Sequence, residues 1–342
     1  MKKSIYDIKA FEHFLEGNGF TERDLRRTRR MIFREYSSLD DLGWDDSLFN
    51  KFSDEFENSY LKLVARADSK VDGASKLLFE TSDGKQIETV ILRIASGRTS
   101  ICVSSQVGCT EQCRFCSTGE MGFLRNLKYE EIIDQVVQAG RILAAEGRSL
   151  RNIVFMGMGE PLRNYENLET SLALLLNGKV FQFAPKYITV SSLGIPELIV
   201  KFAKRFPEVG FALSLNGSND QARTSIMPIN EKYPMADLRE MLESLEKIRK
   251  TSTMIEYIMF KDINDSLEAA TEVADFLKGL DVHINLIPYN PDYSLNKSFQ
   301  PSSQSTVEAF QQLLKERGYK VTRRFSLGQD IAAACGQLAN KG

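Results

Sequence analysis

The chain has 342 residues, of which 42% are hydrophobic and 26% are charged, and its net charge is −2. This composition is that of an ordinary soluble globular protein. No apolar run approaches the roughly 18 residues that span a bilayer, and the charged start MKKSIYDIKAFEHF lacks the apolar core of a signal peptide. We therefore expect a cytoplasmic protein that does not enter a membrane. Because the net charge is slightly negative, any nucleic acid would have to be bound by a local basic patch rather than attracted by the electrostatic field of the whole protein.

The first 70 or so residues are predicted to be helical and charged. Within them, TERDLRRTRRMIFREY forms one predicted helix that carries a cluster of arginines, namely Arg23, Arg26, Arg27, Arg29, Arg30 and Arg34. Such a cluster is as compatible with a solvated helix face as with a surface that contacts phosphates. The following segment, KLLFETSDGKQIETVILRI, predicts a β-hairpin that turns at Asp83-Gly84.

From residue 99 onward, predicted strands alternate with predicted helices. The strands are SICVSS, NIVFMG, YITVSS, VGFALSL, MIEYIMF and HINLIPY. Six strands alternating with helices indicate a parallel α/β sheet. Their near-equal spacing, and the lack of a G-x-G-x-x-G motif after the first strand, favour a partial (β/α)6 barrel. Ligands of such sheets bind at the carboxyl ends of the strands, where the loops MGMGEP, SSLG, SLNGSND and PYNP fall.

This pattern predicts four regions along the chain. Residues 1–72 form a helical N-terminal domain, with a possible role in RNA contact, and residues 73–98 form the hairpin extension. Residues 99–295 form the barrel. Residues 296–342 form a C-terminal extension that packs on the barrel and contains the sequence AAACGQL.

The cysteines are concentrated in one place. Four of the five lie between residues 102 and 116, and three of these, Cys109, Cys113 and Cys116, have C-x3-C-x2-C spacing after the first barrel strand. A tetrahedral zinc site needs four ligands, and the two histidines, His13 and His283, are distant in sequence. Three thiolates can instead hold three irons of a 4Fe-4S cluster and leave the fourth iron open. S-adenosylmethionine is the cofactor that suits an open iron.

With these motifs, the sequence resembles the radical-SAM superfamily and, within it, the RlmN/Cfr RNA methyltransferases. The likeness rests on LLFETSDGKQIETV, CVSSQVGC, FMGMGEP, MPINEKYP, NDS, INLIPYNP and DIAAACGQL. The cysteine spacing alone indicates the superfamily, whereas Cys102 and Cys335 in their contexts indicate the methyltransferase branch. The resemblance implies methylation of an adenine in rRNA, tRNA or both, at carbon 2 or carbon 8. It also implies a monomer that takes electrons from a flavodoxin or ferredoxin.

The resemblance also implies a role for each remaining thiol. Cys335 would carry a methyl group taken from one S-adenosylmethionine, and a second would generate the radical that activates it. Cys102 would then release the product by attacking the Cys335 sulfur, which leaves a disulfide. Glu88 matches the family's proton acceptor. By sequence alone, Cys102 and Cys335 would be small buried hydrophobic residues, and Glu88 would be an ordinary strand glutamate.

The family pattern further implies contacts to S-adenosylmethionine. These residues are Gly159, Glu160, Ser191, Ser214, Leu215, Asn216 and Asn290. The GMGEP segment is also compatible with a tight turn that needs glycine.

Two departures from the family affect this region. Asn216 replaces the usual histidine of SLH, and Gln329 and Ala332 replace residues that are usually acidic beside Cys335. They leave open which RNA is modified. The Arg323-Arg324 pair is an alternative RNA contact.

Two alternative functions remain open at this point. One is radical-SAM methylation of a substrate other than RNA, and the other is an iron-sulfur electron carrier or sensor. A carrier would need neither Cys102 nor Cys335.

Overall fold

The computed structural model describes residues 2–291, 299–324 and 326–338. The boundary predicted at residue 296 lies outside these residues. The strands are β1 (Lys3–Ser4), β2 (Phe56–Glu57), β3 (Leu61–Asp68), β4 (Ala74–Thr81), β5 (Gln86–Arg93), β6 (Thr99–Cys102), β7 (Gln106–Gly108), β8 (Phe123–Asn126), β9 (Asn152–Phe155), β10 (Ile188–Ser192), β11 (Gly210–Ser214), β12 (Thr253–Met259), β13 (Val282–Pro288) and β14 (Lys320–Arg323).

The helices are distributed along the described residues, and from β7 onward at least one of them separates each strand from the next. They are α1 (Ile8–Gly17), α2 (Glu22–Phe33), α3 (Asp46–Glu55), α4 (Ser117–Glu120), α5 (Tyr129–Ala145), α6 (Tyr165–Leu176), α7 (Pro196–Arg205), α8 (Asp220–Ile226), α9 (Met235–Ile248), α10 (Leu267–Phe276) and α11 (Gln304–Glu316). Among the residues that the structure describes, no helix has both the length and the apolar character needed to cross a membrane.

One mixed sheet organises the molecule, with strand order β14-β13-β12-β11-β10-β9-β6-β5-β4-β3. Strands β6 and β9 to β13 are parallel and adjacent in chain order. The helices between them bury their apolar stripes, which in α5 consist of Ile132, Ile133, Val136, Val137 and Leu143. The predicted partial barrel of α/β class is confirmed. Strand β14 extends the sheet beyond β13.

The predicted hairpin is formed by β4 and β5, which pair antiparallel around the turn at Asp83-Gly84. Gly84 has φ 73°, a conformation that glycine adopts without strain. Strand β5 then pairs with β6, with Val90 opposite Cys102. The hairpin is therefore continuous with the barrel sheet and positions its residues beside the first barrel strand.

The prediction that the first 70 residues are helical is wrong for residues 61–68. This segment is strand β3, which pairs antiparallel with β4. Its sequence, LKLVARAD, has largely alternating character, which suits a strand covering the edge of a hairpin. Pairing with β4 satisfies the backbone N–H and C=O groups of that edge. These hydrogen bonds favour a strand here, although the charged composition resembles that of the preceding helices.

The N-terminal helices pack on the outside of the barrel. The buried carboxylate of Asp134 on α5 accepts hydrogen bonds from the Tyr6 hydroxyl at 2.8 Å and from the Tyr60 amide at 2.9 Å. Arg34, at the end of α2, donates to the carbonyls of Gly178 and Val180 at 2.7 and 2.9 Å. Both carbonyls precede β10, so α2 ends beside the amino ends of the barrel strands.

Candidate active site

A cavity opens at the carboxyl ends of the parallel strands, as expected for this fold. Cys109, Cys113 and Cys116 line it, and we call it the cysteine cavity. Its other polar lining residues come from loops that follow different strands or from the ends of strands. They are Thr118, Glu160, Ser191, Ser192, Ser214, Asn216, Glu256 and Arg324.

The loop that carries the three cysteines is fixed by backbone hydrogen bonds and by one aromatic anchor. The Cys109 amide donates to the Gly122 carbonyl, and the Cys116 amide donates to the Cys113 carbonyl, both at 3.0 Å. Phe115 packs its ring 5.3 Å from that of Phe260. The loop is therefore held in one conformation with its thiols facing the cavity.

The three thiols fit an iron-sulfur cluster. Burial raises the pKa of Cys109 to about 12 and raises the pKa of Cys113 strongly, and the neighbouring Cys116 adds to both shifts. Thiols grouped this closely are stable as thiolates when a metal offsets their charge. Among the described residues, no three His, Cys, Asp or Glu side chains converge on a point where one metal ion could bind. The thiolates of a cluster bind different irons, so they need not converge in this way.

Gly159 and Glu160 form the floor of the cavity. Gly159 has φ 94°, and a β-carbon there would lie 2.5 Å from the β-carbon of Gln106, so only glycine fits. The Glu160 carboxylate accepts hydrogen bonds from the amides of Leu162 and Leu193 at 3.1 and 3.2 Å. Burial raises the pKa of Glu160 to about 7. Its carboxylate is placed to pair with a ligand ammonium.

Three further residues predicted to contact the cofactor line the same cavity. The hydroxyls of Ser191 and Ser214 lie 3.3 Å apart. Asn216 has φ 54°, a left-handed conformation that asparagine tolerates better than most residues. Its amide oxygen accepts from the Ile258 amide at 2.9 Å, and its amide nitrogen donates to Met227 sulfur at 3.4 Å. The Asn216 side chain thus links β12 to the cavity wall.

Two residues of the predicted cofactor set are not among those that line this cavity. Leu215 is fully buried in the hydrophobic core. The Asn290 side chain donates to the Ser326 hydroxyl at 2.8 Å and accepts from Gln329 at 2.6 Å. Asn290 therefore contacts the segment that leads to Cys335.

Residues 326–338, which we call the carrier segment, bring Cys335 into the site. The segment is bound on one side by Asp72, which accepts from the Gly328 amide at 2.8 Å. On the other side, the Ser117 amide donates to the Gly336 carbonyl at 2.8 Å. Cys335 is consequently held between the hairpin and the cysteine loop, although it is more than two hundred residues from Cys116 in sequence.

Cys335 lies at the boundary of two cavities. It lines the cysteine cavity and also a second cavity of about 330 Å³, here called the inner cavity, which contains Cys102 and the apolar side chains of Val90, Leu92 and Val154. Burial raises the pKa of Cys102 to about 12, and nearby Cys335 adds to the rise. All five cysteines are free thiols.

Arg324 is a site residue that the sequence did not identify. The sequence indicates Arg324 as part of an alternative RNA contact, but its side chain lines both cavities and its guanidinium donates to Met156 sulfur at 3.6 Å. The thiolate form of Cys335 raises the pKa of Arg324, with Glu256 and Cys102 adding to the effect. Arg324 therefore places a positive charge beside both cavities, coupled to Cys335 and Cys102.

Glu88 lies on β5, buried, two residues before Val90 and on the same face of the sheet. Its carboxylate forms an ion pair with Lys76 of β4, 3.0 Å from the ammonium. Its backbone amide donates to Met158 sulfur at 3.3 Å. Glu88 is thus close to the Cys102 strand, although it is not among the residues that line either cavity.

Comparison with known proteins agrees with this fold and site. The model of the radical SAM superfamily matches residues 103–277, which include the cysteine loop and the strands around the cavity. A crystal structure of a radical SAM methyltransferase from Sphaerobacter thermophilus superimposes with a TM-score of 0.91 at 35% identity, covering 98% of this chain and 99% of that one. The fold and the site therefore define a radical SAM enzyme. Such enzymes bind a 4Fe-4S cluster and S-adenosylmethionine.

Sequence relatives give the narrower family. A protein of Rhodopirellula baltica named "Probable RNA methyltransferase" is 46% identical over 92% of this chain and 84% of its own length. "Probable dual-specificity RNA methyltransferase RlmN" of Thermotoga neapolitana is 38% identical over 84% of this chain and 82% of its own. The chain belongs to the RlmN family of radical SAM RNA methyltransferases. The electron-carrier alternative is thereby excluded, because the family consists of enzymes that act on RNA.

Proposed function

We propose that this enzyme methylates an adenine of rRNA, tRNA or both, at carbon 2 or carbon 8, through a methyl group carried by Cys335. The observation that supports this most directly is the position of Cys335 between the cysteine cavity and the inner cavity that contains Cys102. An amidine carbon of adenine is not nucleophilic, so it cannot attack a sulfonium methyl group directly. A carrier that delivers activated carbon avoids this difficulty.

Loading of the carrier is an ordinary displacement. The Cys335 thiolate attacks the methyl carbon of S-adenosylmethionine, a carbon–sulfur bond forms to Cys335, and the sulfonium bond breaks to leave S-adenosylhomocysteine. The thiolate is the reactive form of a cysteine, and the Arg324 side chain lines the same two cavities as Cys335. At the Gly159-Glu160 turn, the carboxylate would pair with the amino group of the cofactor.

Activation and transfer use the same cysteine. Cys109, Cys113 and Cys116 would hold the cluster, which together with a second S-adenosylmethionine would supply the one-electron chemistry. The S-methyl group on Cys335 would lose a hydrogen atom by that chemistry, and the later adduct would lose one electron. The methylene carbon on Cys335 adds to the adenine and forms a covalent adduct between protein and RNA. Glu88 accepts the proton that leaves the ring carbon. Each turnover consumes two molecules of S-adenosylmethionine.

Release depends on the second thiol. Cys102, as a thiolate, attacks the Cys335 sulfur, and a sulfur–sulfur bond forms while the carbon–sulfur bond breaks. The electron pair of the broken bond stays with the carbon, which takes up a proton and becomes the methyl group. The resulting disulfide between Cys102 and Cys335 is reduced by an external thiol before the next turnover. An external flavodoxin or ferredoxin supplies electrons to the cluster.

RNA contact is proposed for the exposed arginines of α2. In the structure, Arg29 is buried in an ion pair with Glu12, and Arg34 binds backbone carbonyls, so neither is available. Arg23, Arg26, Arg27 and Arg30 are exposed. Of these, Arg26 and Arg30 lie within 3.4 and 2.9 Å of the glutamates Glu22 and Glu35, respectively.

Replacement of each thiol separately tests this function. Cys335→Ala should abolish methylation because no carbon is loaded, whereas Cys102→Ala should accumulate RNA covalently bound to Cys335. The adduct would be detected on denaturing gels with in vitro transcribed rRNA and tRNA, and the S-methyl group would be detected by mass spectrometry of the protein alone. A Cys102→Ala enzyme that turns over at the normal rate without bound RNA would contradict the two-thiol mechanism.

A further inference from the structure

Lys76 connects the proposed base to the segment that carries Cys335. Its ammonium lies 3.0 Å from the Glu88 carboxylate and 3.3 Å from the carbonyl oxygen of Ala332, three residues before Cys335. The Glu88 side chain is 4% exposed and the Lys76 side chain is 18% exposed. The three groups therefore meet where water is largely excluded, and ionic contacts there are stronger than on an open surface.

The sheet register explains why a lysine at this position reaches Glu88. On the β4–β5 pair, Lys76 lies opposite Val90, and Leu78 lies opposite Glu88. Lys76 and Glu88 are thus diagonal neighbours on one face of the sheet, at a separation that only a long side chain bridges. Both strands are paired on either side, so the ammonium is anchored to a rigid part of the fold.

The other partner of Lys76 belongs to a less regular element. Ala332 has φ 49°, in the left-handed region, and it ends the short helical turn Gln329–Ile331. Alanine has no polar side-chain group that could stabilise this left-handed conformation by a local hydrogen bond. The bond from Lys76 to its carbonyl, together with the Asp72–Gly328 bond, ties the carrier segment to the hairpin. One charged group thereby fixes the distance between Glu88 and the loop of Cys335.

We propose that Lys76 is a positioning residue for the release step, holding Glu88 and the carrier segment together so that the carboxylate faces the ring proton of the adduct. The proposal rests on the proposed function of Glu88 and Cys335. A lysine that only stabilised the fold would affect every step alike. A lysine that positions Glu88 affects proton removal and leaves the loading of Cys335 unchanged.

The test compares Lys76→Met, which keeps the stem and removes the charge, with Lys76→Arg, which keeps the charge. Lys85→Met is the matched control, because Lys85 is an exposed lysine at the turn of the same hairpin. Methylation of Cys335 is followed by mass spectrometry without RNA. Adduct and product are followed with in vitro transcribed rRNA and tRNA as the probes.

Lys76→Met should load Cys335 as the wild type does, but it should accumulate the covalent adduct and release product at least about tenfold more slowly. Lys76→Arg should recover most of the rate, and Lys85→Met should behave as the wild type. Normal release by Lys76→Met would overturn the proposal. An equal loss of loading and release would also overturn it, because that result indicates a structural role.

Glu88→Gln separates this inference from the proposed function. It should trap the adduct, and adding Lys76→Met to it should cause no further slowing, because the lysine acts through the glutamate. If Glu88→Gln turns over normally, the proposed base is wrong, and with it the positioning role. If Glu88→Gln traps the adduct while Lys76→Met does not, only the role of Lys76 is wrong.

Discussion

Single site residues differ in whether their roles can be predicted from the sequence, as Cys335 and Lys76 show. The cysteine loop is evident from spacing, because C-x3-C-x2-C places three thiols on one short segment. The roles of Cys102, Cys335 and Glu88 follow only from the family resemblance, since the sequence alone predicts no function for any of them. The sequence does not single out Lys76, and it indicates Arg324 only as part of an alternative RNA contact. The contact between Lys76 and Glu88 depends on the register of β4 and β5. The orientation of Arg324 depends on which face of the sheet its side chain occupies at the end of β14. Neither property can be deduced from the local sequence.

Glu160 predicts a pH dependence of cofactor binding. Burial raises the pKa of its carboxyl group to about 7, so the group loses its charge as the pH falls through that value. Only the carboxylate pairs with the ammonium of S-adenosylmethionine, so affinity should weaken by up to about tenfold per pH unit below 7. Anaerobic calorimetry between about pH 5.5 and pH 7.5 measures this, because an α-ammonium largely keeps its proton there.

Glu160→Gln is the control for that measurement. It should bind S-adenosylmethionine more weakly than the wild type at pH 7.5, and with little change of affinity across the range. Wild-type affinity that does not vary with pH would show that Glu160 does not bind the amino group.

At the scale of elements, the strands and helices of the barrel follow from the sequence, and the anchoring of the carrier segment does not. The alternation of β-rich and amphipathic segments predicts each barrel strand within a few residues. By contrast, the carrier segment has little regular structure, and it is held by distant side chains such as Asp72. Strand β3 was missed because its charged residues resemble those of the helices before it.

The Asp72 anchor predicts a change in the mobility of the carrier segment. Asp72→Ala removes the bond to the Gly328 amide, so residues 326–338 should exchange amide hydrogens faster and Cys335 should be alkylated faster. Asp72 also accepts a hydrogen bond from the Ala74 amide at 2.9 Å, so the melting temperature should fall by about 2–4 °C for each of the two bonds, at about 1 kcal/mol per bond. Hydrogen-exchange and alkylation mass spectrometry would measure both effects.

Asp41→Ala is a suitable comparison, because Asp41 makes a similar bond to the Ser38 amide at 3.0 Å in the N-terminal region. It should leave exchange of the carrier segment and alkylation of Cys335 unchanged. Equal alkylation rates in all three proteins would show that the Asp72 bond does not restrain Cys335.

At the scale of the whole molecule, α2 and the cysteine cavity lie at opposite ends of the barrel strands. Arg27 and Arg30 line a groove that includes Arg34 and Lys179, next to the amino end of β10. An RNA that reaches both this groove and Cys335 must extend along the barrel. The sequence showed that the arginines cluster, but their distance from the site depends on how the N-terminal helices pack.

Charge reversal at α2 tests that contact. Arg27→Glu with Arg30→Glu should weaken RNA binding, and each lost phosphate contact should reduce the slope of log affinity against log salt by about 0.7–0.9. Cleavage of S-adenosylmethionine without RNA should not change. Arg317→Glu is the control, because it reverses the charge of an exposed arginine just after α11. It should leave the salt slope as in the wild type. An unchanged slope in the double variant would mean that the α2 arginines are merely solvated.

The bond between Asp72 and Gly328 has a consequence for synthesis of the protein. It joins residues 256 positions apart, and the bond between Lys76 and Ala332 spans the same separation. During translation the cysteine loop and most of the barrel leave the ribosome well before Cys335 does. A nascent chain therefore exposes the three cysteines of the loop while it still lacks the proposed methyl carrier. Cys335 joins the site only when residues 326–338 have emerged and bound Asp72 and Lys76, so a chain terminated before Cys335 should lack the methyl transfer that we propose.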